Sequence, residues 1–197
     1  MSLPEVLQKI FDSKDFTAGG GAASALSAAM AASLVAMVCR LSIGKNLGLS
    51  DKEFEEIADE MDQVSLDLRQ GAIKDYEAFL GIKAAYALPK QTEEEKARRK
   101  LAIGKAAYAA ADVPRQNARL AMKVVEAAMR LGGRSNANAA SDLKVGSDLA
   151  KASVEGFLAN IRANLGLIKD EESVADLNGF ISQTESKIRL GKEVEGR

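Results

Sequence analysis

The apolar residues Phe54, Ile57, Met61, Val64 and Leu68 fall three, four, three and four apart, the period of a helix packed in a bundle. Similar patterns divide the chain into a run of helices. A short first helix is predicted from Leu3 to Lys14, with Ser2 as its cap. The second starts after Gly19, Gly20 and Gly21 and ends near Gly44. The third opens on the capping-box pattern Ser50-x-x-Glu53 and runs to about Leu88, where Pro89 stops it. The fourth opens on Thr92-x-x-Glu95 and ends at Leu131 before Gly132 and Gly133. Pro114 lies inside it and predicts a kink. The fifth is expected from Ser141 to about Lys169 and the sixth from about Asp170 to Leu190. The expectation is an all-α, single-domain bundle of about six helices over residues 1–197, several of them long.

Polar residues that interrupt the apolar seams are the candidates for chemistry. Carried past Leu68, the spacing of the third helix reaches Gly71, Asp75 and Ala78, so Asp75 stands where a Leu or Ile belongs. A carboxylate turned inward must be paired, line a cavity or hold a proton; otherwise it serves only to fix packing. The fourth helix has the seam Ala106, Ala110, Val113, Asn117, Leu120, Val124, Ala127 and Leu131, with Asn117 as its polar exception. Asp112 sits just before Pro114, where freed carbonyls invite a partner. The fifth is read as Asp142, Val145, Leu149, Ala152, Gly156, Ala159 and Ala163, again with an inward acid. Asp142 follows Ser141, and capping accounts for that pair equally well. The acids between Asp51 and Asp62 flank the apolar seam and read as a solvated face near a helix start.

Three successive glycines ahead of a helix N-terminus permit close approach of another group to backbone N–H donors. This suits an anionic ligand; a tight loop that lets two helices touch would need the same residues. The second helix, Ala22 to Leu41, is long enough to cross a bilayer. Its Ala, Ser and Met content and the closing Arg40 instead read as a buried helix in a soluble protein. Lys45, just past its end, suits a helix C-terminus on electrostatic grounds alone.

Composition narrows the chemistry. Lys and Arg number 27 and Asp and Glu 28, so no basic excess points to nucleic acid or an anionic membrane. Cys39 is the only cysteine, and the N-terminus is unlike a signal peptide, which suits a reducing cytoplasm. There is no histidine, which removes Ser–His–Asp and Cys–His sites and the usual zinc constellations. Acid–base work falls to carboxylates, lysine, tyrosine or water. The glycines form neither a Walker loop nor a dinucleotide-binding turn.

The order Gly19-Gly20-Gly21-Ala22-Ala23-Ser24-Ala25-Leu26, Met37 to Lys45, Asp75-Tyr76-Glu77-Ala78-Phe79, Leu88-Pro89, Ala111-Asp112-Val113-Pro114, Ser141-Asp142 and Asn160 to Leu165 resembles the C-terminal family of formiminotransferase-cyclodeaminases. That family includes stand-alone bacterial methenyltetrahydrofolate cyclohydrolases. The resemblance runs from about Leu3 to Ile188. It departs from the family pattern at Ala18, where Pro is usual, at Ala22, where Ser is usual, and in Gly133-Arg134-Ser135-Asn136, where a Gly-Asn run is usual.

The resemblance implies an all-α homodimer acting on a tetrahydrofolate derivative, with no metal and no cofactor beyond that substrate. It implies either hydrolysis of the methenyl bridge to formyltetrahydrofolate or closure of formiminotetrahydrofolate with release of ammonia. A folate-binding homologue without catalysis, or a structural helical dimer, is the non-enzymatic alternative. The 197 residues carry no formiminotransferase domain, which inclines the expectation to the cyclohydrolase. In the expected site Asp75 moves the proton, aided by Asp142, and Lys45 balances their charge. Gly19, Gly20, Gly21 and Ser24, with Asn136 and Ser141, hold the pterin or the glutamate tail.

Overall fold

The computed structural model describes the backbone of residues 1–195 and the side chains of residues 1–189. Its helices are α1 (Leu3–Phe11), α2 (Gly20–Arg40), α3 (Asp51–Ala87), α4 (Glu93–Leu131), α5 (Ala140–Leu165) and α6 (Glu171–Glu195). A single 3-10 turn, Ala137–Ala139, precedes α5. No strand occurs among the described residues.

Short connections force consecutive long helices to run antiparallel, and α2, α3, α4 and α5 close into a four-helix bundle. Cross-contacts fix the direction of each pair. Arg40 near the end of α2 pairs with Asp59 and Asp62 near the start of α3. Lys123 late in α4 meets Glu60 early in α3. The small residues of α2 let its neighbours come close. Gly146 of α5 rests on the backbone at Ala31, and Ser24 of α2 rests on Gly156 of α5. Ala22, Ala25, Ala28, Ala31, Ala32 and Val35 are fully buried, so packing against α3 and α5 accounts for the apolar character of α2. The first helix braces α3, and α6 lies against α4 and α5.

Both predicted capping boxes are present. Ser50 accepts from the Glu53 amide at 3.3 Å while the Glu53 carboxylate accepts from the Ser50 amide at 2.9 Å. Thr92 and Glu95 repeat the arrangement at 3.1 Å each way. The first helix ends three residues earlier than predicted. Asp12 takes the Lys14 amide and Asp15 takes the Thr17 amide, and these local bonds compete with further helix. The second helix starts within the glycines, so Gly20 and Gly21 form its first turn instead of a preceding loop.

The third-helix seam packs as read, with Phe54, Ile57, Met61, Val64 and Leu68 all buried. The fifth-helix seam lies on a different frame. Gly146, Ala150, Val154, Phe157, Leu158 and Ile161 are buried, while Val145, Ala152, Ala159 and Ala163 are exposed. The bulky Phe157, Leu158 and Ile161 decide which stripe faces the core, and the predicted stripe of small residues does not contain them. In α4 the buried face is broader than the predicted seam and includes Ala107, Ala111, Ala118 and Ala121.

The fourth helix runs uninterrupted through Pro114. Proline lacks the N–H that would bond to the carbonyl four residues back, here Ala110. The Asn164 side chain supplies the missing donor, with Nδ2 at 3.3 Å from that carbonyl. Proline and asparagine together therefore fix α5 against α4.

Candidate active site

The first turn of α2 has no acidic residue of its own, and its cap, Gly19, offers no side chain. An N-terminus in that state needs acceptors from elsewhere. Asp75, about two-thirds of the way along α3, lies across it. A Cβ on Gly21 would stand within 2.5 Å of the Asp75 Cγ, closer than real atoms approach, so the carboxyl occupies the space a side chain would fill. The Ala22 amide is directed at the same carboxylate.

Burial dominates the electrostatics of Asp75. Desolvation pushes its pKa up to about 6, and the Ala22 amide only partly opposes the shift. No basic side chain pairs with it among the described residues. Such a carboxyl exchanges its proton near neutrality, the range suited to a general base or shuttle.

Of the three glycines, only Gly21 is sterically required. A Cβ on Gly20 would meet Asn160 Nδ2 at 3.5 Å, an ordinary contact, and one on Gly19 would meet nothing within 4 Å. Polar groups gather around this end of the bundle. Asn160 and Asn164 stack one turn apart on α5, joined by a 3.0 Å bond from Asn164 Nδ2 to the Asn160 carbonyl. Asn117 presses its carboxamide on Gly71, one turn from Asp75 on α3, and its buried Nδ2 has no hydrogen-bond partner. Ser24 completes the group from α2. Asp112 is bound to Arg115 and to Gln116 Nε2, the latter at 2.6 Å, so it braces α4.

The other predicted site residues lie at the opposite end of α2, about 30 Å away by its 21 residues. Lys45 is exposed in the turn after the helix. Asn136 is engaged with that turn: its amide donates to Ser42 Oγ at 2.9 Å and its Nδ2 to the Leu41 carbonyl at 3.0 Å. Ser141 is exposed in the first turn of α5, where Ala139 is the cap; Ser141 therefore does not cap the helix. Asp142 follows it, half-buried and in no ion pair among the described residues. Within one chain, then, Asp75, Gly21 and Ser24 come together, whereas Lys45, Asn136, Ser141 and Asp142 form a second group at the far end. The length and direction of α2 keep Lys45 away from Asp75 of the same chain.

Residues 3–183 match the formiminotransferase-cyclodeaminase family. The chain belongs to that family. Among its relatives is the methenyltetrahydrofolate cyclohydrolase of Methylorubrum extorquens, 34% identical over 172 residues that cover 85% of this chain and 83% of that protein. The formimidoyltransferase-cyclodeaminase of Gallus gallus is 29% identical over 88% of this chain, which corresponds to 32% of that longer protein. The crystal structure of formiminotetrahydrofolate cyclodeaminase from Thermotoga maritima superposes with a TM-score of 0.83. It is 29% identical and covers 98% of this chain and 92% of its own. The family relationship thus extends over the whole bundle, including the glycine turn and Asp75.

Proposed function

We propose that the protein hydrolyses the methenyl bridge of 5,10-methenyltetrahydrofolate to give 10-formyltetrahydrofolate. The observation that carries this reading is the Asp75 carboxyl packed against the backbone of the glycine turn, where burial pushes its pKa up to about 6. The substrate is a delocalised amidinium cation, and a carboxylate favours its binding. As water adds to the bridging carbon, Asp75 takes a proton from it. The proton returns to N5 as the carbon–N5 bond breaks, and the hydroxyl proton of the tetrahedral adduct leaves to solvent as the formyl carbonyl forms. A group that ionises near neutrality can serve both transfers.

A complete site in this reading draws on two copies of the chain. The outer face of α2 carries Met30 and Met37, with Leu41 directly after the helix, each more than a third exposed and at helical spacing. A second copy laid antiparallel on this face would bring its Lys45 and Asp142 toward the first copy's Asp75. Two-fold symmetry then creates two equivalent sites. Lys45 would there steady the developing charge and Asp142 would assist proton movement.

The likeness to the Thermotoga maritima cyclodeaminase favours a second reading, ring closure of formiminotetrahydrofolate with loss of ammonia. The same carboxyl would move protons in that reaction. The stand-alone relative named a cyclohydrolase, matched over most of its length, supports the first reading over the second. Purified protein incubated with methenyltetrahydrofolate, followed by loss of its near-ultraviolet absorbance, tests the hydrolase. Parallel incubation with formiminotetrahydrofolate, assayed for ammonia, tests the deaminase. Absorbance loss without ammonia is the expected result.

A further inference from the structure

One turn beyond Asp75 on α3 begins a cleft of about 590 Å³ lined by Phe79 and Lys83 of α3 and by Asp12, Lys14, Asp15, Phe16 and Thr17. The latter segment leads into the glycine turn. Its conformation is firmly set. Lys9 Nζ meets Asp15 Oδ2 at 2.6 Å, and Asp15 Oδ1 accepts from the Thr17 amide at 2.8 Å. Asp12 accepts from the Lys14 amide at 2.9 Å. The Lys9 ammonium also lies 5.7 Å from the ring centre of Tyr76, the residue after Asp75. This local network holds Phe16 outward, 84% exposed, on the wall of a cleft whose α3 wall includes Phe79.

Along α3, Asp75, Phe79 and Lys83 follow at intervals of four residues, so they form one stripe with steps of about 6 Å. The order is carboxylate, aromatic ring, cation. The substrate of the proposed reaction carries, in the same order, a cationic one-carbon bridge, the p-aminobenzoyl ring attached at N10, and the glutamate carboxylates. Asp12 and Asp15 are engaged by backbone amides and by Lys9, while Lys14 and Lys83 enter no ion pair among the described residues.

We infer that this cleft is the tail-binding subsite, with the p-aminobenzoyl ring held between Phe16 and Phe79 and the glutamate carboxylates met by Lys83 and Lys14. The inference rests on the proposed folate chemistry and fixes the direction in which the substrate lies: pterin beyond Asp75 toward the polar end of α5, tail along α3. It also gives Phe16, which no seam contains, a specific task. Aromatic and cationic contacts of this kind act on binding more than on the bond-breaking step.

Steady-state kinetics on the full chain test it. Phe16→Ala should raise KM for methenyltetrahydrofolate by about 5- to 30-fold, well beyond any loss in kcat, and Phe16→Tyr should restore it. Lys83→Glu should raise KM for the glutamyl substrate but not for the analogue that ends at the p-aminobenzoate carboxyl without glutamate. Wild-type KM in Phe16→Ala, or an equal effect of Lys83→Glu on both substrates, would overturn the assignment. So would a change in solution mass of Phe16→Ala with unchanged KM, which would place Phe16 between copies. Phe16→Trp separates this result from failure of the catalytic reading, because the chain has no tryptophan of its own. Quenching of that single fluorophore by 5-formyltetrahydrofolate, in a protein that turns over neither one-carbon substrate, would keep the subsite and discard the reaction. Turnover without quenching would do the reverse.

Discussion

Gly21 and Asp75 compete for one volume: the hydrogen on the Gly21 Cα leaves room for the Asp75 carboxyl, and a methyl group there would come within 2.5 Å of its Cγ. The arrangement ties the start of α2 to the later part of α3 and supplies the first turn of α2 with an acceptor from α3. It also desolvates the carboxyl and raises its pKa to about 6. Position and titration of the proposed base therefore have the same origin.

Gly21→Ala should expel the carboxyl. The expected result is a fall in kcat of about 10²-fold or more, as for loss of a general base, with a stability cost of about 1–3 kcal/mol from overpacking. Turnover, urea unfolding and helical circular dichroism on the same preparation separate the two effects. Gly19→Ala serves as the comparison, since a Cβ there meets nothing within 4 Å.

The raised pKa has a consequence for folding. The folded state holds the Asp75 proton more tightly than the unfolded chain, whose value is near 3.8. The associated stability is fully present below the unfolded value and is lost as pH rises through about 6. Asp75→Asn should flatten that part of the stability profile, and urea denaturation from pH 4 to pH 7 would show it as a reduced slope. An unchanged slope would mean that the carboxyl is not desolvated.

Pro114 and Asn164 should be coupled through the Ala110 carbonyl. Asn164→Ala leaves that partly buried carbonyl without its side-chain donor and should cost about 1–3 kcal/mol. Pro114→Ala restores a backbone donor, so the cost of Asn164→Ala in that background should be smaller. A double-mutant cycle by denaturation measures the difference; strict additivity would deny the link.

Much of this arrangement is legible in the chain because it follows from periodicity. The regular seam from Phe54 to Leu68 carries Asp75 onto the inward face, and the capping boxes mark where α3 and α4 begin. Pro114 announces a freed carbonyl, although only the fold reveals that Asn164 answers it. Periodicity works less well where small residues dominate. In α5 a frame anchored on Asp142 and Val145 misses the stripe that Phe157, Leu158 and Ile161 bury. Periodicity also gives no information on which end of a bundle a loop residue occupies, so nothing in it separates Lys45 from Asp75, although α2 does. Phe16 lies outside every seam. Its neighbours Asp15 and Thr17 form a side-chain-to-backbone turn, which is the local signal that the segment is ordered.

The separation of the two residue groups gives a test of the proposed two-chain site. Asp75→Asn and Asp142→Asn should each be nearly inactive alone. Mixed in equal amounts under conditions that allow subunit exchange, they should recover up to about a quarter of wild-type activity, because half the dimers carry one intact site. Absence of recovery despite exchange would place Asp142 outside the site that contains Asp75.

The most direct measurement is the rate of methenyltetrahydrofolate hydrolysis by wild type and Asp75→Asn from pH 5 to pH 8, corrected for the spontaneous reaction. The account predicts a wild-type profile rising through an inflection near pH 6, and a variant that stays folded while its rate falls by about 10²- to 10⁴-fold. A folded Asp75→Asn protein with wild-type turnover would contradict it.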